Sequence, residues 1–164
     1  MRRIAIVACT AVMVTTLGLL PAGAASTPKA TGGADYTTVV TQGGNQFMYD
    51  THVSFVAMGT PEEAKGQVQA NDQGAGPADW HGRVTCYFQD GNRAWFSGVI
   101  THFRPEAEDS GASGFFEIAV VDGGEPGTGV DMISVRRTAT EDTCDDDDFQ
   151  AMRPLEGGNI QVHE

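Results

Sequence analysis

From Phe47 onward apolar and polar residues alternate with a period of two, the pattern of strands that bury one face. Phe47, Tyr49, Thr51, Val53, Phe55 and Ala57 share one side of a first long strand, with Met48, Asp50, His52, Ser54 and Val56 on the other, until Pro61 ends the run. Ala64, Gly66, Val68 and Ala70 then alternate with Lys65, Gln67, Gln69 and Asn71 in a weaker second strand, followed by the loop DQGAGPAD at 72–79. Trp80, Gly82, Val84, Cys86 and Phe88 line one face of a third, opposite His81, Arg83, Thr85, Tyr87 and Gln89. After the turn signal at Asp90, Gly91 and Asn92 comes RAWFSGVITHF, then strands at 114–121, 132–138 and 159–163. No stretch keeps a helical period, and PEEAK at 61–65 is long enough for one helical turn only.

Seven to eight short strands between Gly-rich turns predict an all-β domain over residues 46–164, a single antiparallel β-barrel or β-sandwich. Residues 26–45 are mostly small and polar, which predicts a flexible N-terminal lead with a short strand at 36–41.

The turn at 90–92 sets a register that the faces can test. A two-residue turn at Asp90 and Gly91 sets Cys86 against Trp95 and mixes polar and apolar residues on both sides. A three-residue loop sets Cys86 against Phe96, Val84 against Gly98 and Gly82 against Ile100, which keeps one face apolar. The three-residue loop is therefore expected, with Asn92 in the left-handed conformation. Tyr87 and Trp95 then share a mixed face with His81 and Arg83.

Residues 1–25 follow a different pattern. Arg2 and Arg3 precede an apolar run from Ile4 to Leu20, then Pro21 and small residues, as in a secretory signal peptide cut near Ala24 or Ala25. As a membrane anchor the run is short and carries Thr10, Thr15 and Thr16. Lipidation at Cys9 would leave only eight residues ahead of it. A secreted, extracellular protein is expected, with no membrane association after cleavage.

Of 10 basic and 22 acidic residues, Arg2 and Arg3 leave with the signal, so the mature chain carries 8 against 22, a net charge of −14. Such a chain repels nucleic acid and anionic membranes. Export also removes Cys9, leaving Cys86 and Cys144 in an oxidising compartment, where they are expected to form a disulfide.

The segments DGNRAWFSGVI (90–100), FFEIAVVDGGEPGTGVDMISV (115–135) and LEGGNIQVH (155–163) resemble landmarks of a group of small exported actinobacterial β-rich proteins of uncharacterised function. The resemblance covers most of the mature chain through turn and strand motifs. It implies an exported β domain and transfers no active site.

The chain carries no catalytic signature. Ser97 in WFSG lacks the first glycine of a nucleophile elbow and lies within a strand. His52, His81, His102 and His163 fall on separate strands with no ligand-pair spacing. Asp122, Glu125 and Asp131 in DGGEPGTGVD are the candidate metal ligands, although a Gly-rich turn explains that loop without an ion. Four aspartates follow Cys144 in TCDDDDF; in an extended chain they alternate sides, so they read as a solvated loop tethered by its cysteine. Tyr87, Trp95, His81 and Arg83 are the candidate binding face. A non-catalytic secreted domain with no cofactor follows, binding a protein, glycan or small ligand. The alternatives are a hydrolase using unrecognised carboxylates and an envelope-associated structural protein.

Overall fold

The computed structural model describes residues 26–74, 78–104, 114–124, 129–141, 144 and 151–164. The predicted signal sequence, Glu125 and the four aspartates at 145–148 lie outside the described residues. The domain is all-β: one antiparallel sheet of nine strands, curled on itself as a half-barrel. In chain order the strands are β1 (Lys29–Gln42), β2 (Asn45–Met58), β3 (Lys65–Gly74), β4 (Ala78–Asp90), β5 (Arg93–Phe103), β6 (Phe115–Val121), β7 (Met132–Thr138), β8 (Arg153–Pro154) and β9 (Gly157–His163). The sheet runs β8-β7-β6-β5-β4-β3-β2-β1-β9. Every pairing is therefore sequential except the last, in which the C-terminal strand returns to β1.

The concave side holds the main core. Val53, Phe55 and Ala57 from β2, Val68 and Ala70 from β3, Trp80 and Val84 from β4, Phe96 from β5, and Phe116, Ile118 and Val120 from β6 are buried, as their alternation predicts. Phe116 fits because two strands beneath it carry no side chain there. A Cβ on Gly82 would lie 2.5 Å from the Phe116 ring, and one on Gly98 would lie 2.0 Å from the Arg83 carbonyl oxygen. Close approach of ring to backbone is a use that glycine alone serves in a strand.

Two differences from the sequence reading change the site. Residues 29–42 are a full strand rather than a flexible lead, paired with β2 along its length and with β9 from Lys29 to Asp35. Its small residues are what let it sit between two neighbours: Ala30 and Ala34 are fully buried, and a Cβ on Gly32 would meet the Asn159 carbonyl at 2.6 Å.

The second difference is the register of β4 with β5. Val84 faces Gly98 and Gly82 faces Ile100 as expected, but Cys86 faces Ser97 and Asp90 faces Arg93. The loop is the two residues Gly91 and Asn92, with the positive φ on Gly91, and the mismatch is absorbed by a bulge between Val84 and Cys86. An extra residue in one strand reverses the sides of everything beyond it. Tyr87 thereby turns into the core beside Phe96, while Cys86 moves to the convex face.

There Cys86 forms a disulfide with Cys144, Cα atoms 5.9 Å apart, and the two pack with Trp95, Ala119 and Met152 into a second apolar cluster. Trp95 is 1% exposed. Beside this cluster Glu117 is buried and ion-paired with Arg136, its register partner on β7, at 2.7 Å.

Candidate functional site

The expected binding face does not exist as one surface. His81 and Arg83 are exposed on β4, but Tyr87 is buried in the core and Trp95 is buried on the opposite side under Cys144. Burial pushes the Tyr87 phenol well above the ordinary tyrosine value, and its hydroxyl donates to Gln89 Oε1. The bulge separates the two aromatics, and period-two counting through residue 85 could not anticipate it.

The two described candidates of the DGGEPGTGVD loop serve the backbone. Asp122 accepts hydrogen bonds from the Val162 and Gly124 amides at 2.9 and 2.8 Å, and Asp131 from the Ile160 and Gly123 amides at 2.7 and 2.8 Å. Each of their four carboxylate oxygens thus holds one N–H. The two amides on β9 belong to alternate residues and point away from β1, so these carboxylates act where a further strand would supply carbonyls. Around them Leu155 N donates to Asp131 O at 3.1 Å and Glu156 N to Asp35 O at 2.8 Å, so the 153–157 segment bridges the two ends of the sheet. Arg153 completes the bridge by lying over the Tyr36 ring and donating to Thr38 Oγ1 at 2.6 Å. Desolvation by burial, helped by the nearby Asp72 carboxylate, drives the Tyr36 phenol upward against the smaller opposing influence of Arg153 and Thr51. Among the described residues, no three His, Cys, Asp or Glu side chains are placed to hold a metal.

A cleft with a volume of about 890 Å³ lies across β2, β3, β4 and β5. Its exposed side chains are Val56, Lys65, Gln67, Gln69, His81, Arg83 and Thr101, with Ser54 half-buried beside them; they alternate along the strands with buried or half-buried residues such as Phe55, Gly66, Val68, Gly82 and Val84. The register explains the assembly: Ser54 faces Gln69, Gln69 faces His81, Gln67 faces Arg83 and Val56 faces Gln67. The strand alternation set the β2, β3 and β4 members of this group on the face opposite their apolar neighbours. Which strands lie side by side, and hence that four of them share one cleft, depended on topology.

The electrostatics of this cleft oppose those of the chain. The whole sequence carries 22 acidic residues against 10 basic, yet the described lining includes Lys65, Arg83 and His81 and no carboxylate. The remaining polar groups are amides and hydroxyls, donors and acceptors suited to a polar guest. By contrast, the core side is filled by Trp80, Phe96, Phe116 and Ile118, each at most 2% exposed. Comparison of the chain with known protein families, curated proteins and solved structures returns no match.

Proposed function

We propose that the protein is an exported, non-catalytic binding domain that uses the cleft across β2–β5 to hold an anionic polar guest, such as an acidic oligosaccharide. The observation that carries this reading is the charge of the cleft: Lys65 and Arg83 line it without a described carboxylate, in a chain whose net charge is −12. A guest carrying carboxylates is attracted locally although the rest of the surface repels it, which favours docking in this orientation. Binding rests on charge and hydrogen bonds rather than on stacking, since Tyr87 and Trp95 are both buried. Glycoside hydrolysis needs two carboxylates flanking the bond, and the described lining offers none. A carrier role would need an open interior, and aromatic and aliphatic side chains occupy it. The apolar N-terminal run behind two arginines and the Cys86–Cys144 disulfide support export.

Isothermal titration with uronic-acid oligomers and with neutral oligosaccharides of equal length tests the proposal. The acidic series is expected to bind, to weaken as salt rises, and to lose affinity at least tenfold in Arg83→Glu. Equal binding of acidic and neutral oligomers, or full binding by Arg83→Glu, would refute it.

A further inference from the structure

We propose that His81 and His102 form a two-imidazole site for a divalent transition-metal ion at the β5 side of the cleft. The two residues are register partners across β4 and β5, and both are exposed on the same face. Their ring centroids are 5.7 Å apart, with planes at 83°. An ion at the usual distance of about 2.0–2.1 Å from each nitrogen sits roughly 3.2 Å from each centroid, so tetrahedral ligation sets the centroids roughly 5.2 Å apart. The observed separation differs from this by about half an ångström, and a rotation of the exposed rings about χ2, whose well is broad for histidine, turns both nitrogens toward one ion.

The local backbone holds this arrangement. A register shift between His81 and Gly82 leaves Thr101 as the extra residue of β5, and the Thr101 hydroxyl donates to the His81 carbonyl at 3.2 Å. A bulge re-aims the side chains beside it, and here it stands His102 opposite His81. On the other side of His81 its register partner is Gln69, which is exposed and uncharged.

The charged groups around the pair permit a cation. Asp79 and Arg104 neutralise each other through a 2.6 Å ion pair, which leaves Arg83, two residues along β4, as the remaining positive charge on that strand. Arg83 is exposed, so water screens its repulsion, whereas each metal–imidazole bond is a direct contact. With two protein ligands the other coordination positions hold water and stay open toward the cleft. Imidazole pairs of this kind favour Cu2+ over Ni2+ and Zn2+, and with only two ligands they bind less tightly than closed four-ligand zinc sites.

Titration of the mature protein with Cu2+, Ni2+ and Zn2+ separately, followed by thermal shift and by the ring-proton NMR signals of the histidines, tests the site. The expected result is one ion per chain, a saturable rise in melting temperature, and Ni2+ or Cu2+ broadening confined first to His81 and His102. Both His81→Ala and His102→Ala are expected to weaken binding at least tenfold, and His52→Ala to leave it unchanged. Should either alanine variant melt early without metal, His81→Gln and His102→Gln keep the polar surface and carry the same expectation. Absence of any shift with all three ions, or a shift that survives in both variants, overturns the proposal. No saccharide is present, so the outcome is separate from that of the anionic-guest reading.

Discussion

Asp131→Ala removes the acceptor that holds β9 to the β6–β7 end of the sheet, and its cost follows from what is left behind. The carboxylate accepts from Ile160 N at 2.7 Å and Gly123 N at 2.8 Å. Hydrogen bonds to charged groups contribute about 1.5–3 kcal/mol each, and a buried donor left without an acceptor costs about 1–3 kcal/mol. Gly123 is half-buried and can turn to water, whereas Ile160 is 1% exposed, so most of the loss falls on the Ile160 amide. The expected destabilisation is about 3 kcal/mol, with Asp131→Asn at roughly half, because the amide keeps one oxygen and opposes one N–H with its own. Urea unfolding of the disulfide-intact protein, read as a change in midpoint at constant m-value, measures the loss. Hydrogen exchange locates it: the Ile160 amide should lose protection first, ahead of the β2–β5 ladder. A cost of less than about 0.5 kcal/mol, no greater than for the exposed Glu164→Ala, would show that the carboxylate is dispensable and the account of the seam mistaken.

Reduction of the Cys86–Cys144 bond, which spans 58 residues, should destabilise the protein by about 4 kcal/mol in the chain-entropy model, and scanning calorimetry with and without reductant should register a drop of roughly 10 °C. Red-shifted fluorescence from Trp95 should accompany it, and Ellman's reagent should find no free thiol in the native mature protein. The phenols of Tyr36 and Tyr87 are held protonated by burial, so a spectrophotometric titration at 295 nm should find both silent at pH 11 until the protein unfolds. Because their folded pKa values are raised, the stability they contribute is fully present below the ordinary tyrosine value of about 10 and is lost as pH climbs above it. Unfolding midpoints independent of pH from 9 to 11 would contradict this.

The faces of β2 and β3 were legible because each strand alternates without interruption over the residues that it buries, whereas β6 buries five consecutive residues and shows no such alternation. Val53, Phe55, Ala57, Val68 and Ala70 are where a period of two places them. β1 was not legible for a related reason. Its Gly32, Gly33 and Ala34 look like a flexible lead in composition, yet small side chains are what a strand needs when it packs closely between two others. Asp122 and Asp131 read equally well as ion ligands or as acceptors for backbone amides, since a carboxylate serves both, and the partners were on a strand about 30 to 40 residues away.

The sequence by itself determined the all-β class, the alternation that sorts many strand residues between core and surface, and the acidic balance of the chain, and it pointed to the Cys86–Cys144 bond that the structure contains. Only the tertiary structure decided that a bulge after Val84 turns Tyr87 inward and separates it from Trp95, that His81 stands opposite His102, and that one cleft escapes the acidity of the rest. Periodicity is a property of neighbours along the chain, and it survives folding wherever a strand is regular. Register, bulges and the meeting of distant strands are settled by packing among residues far apart in sequence, so their consequences for a site emerge only when those residues are brought together.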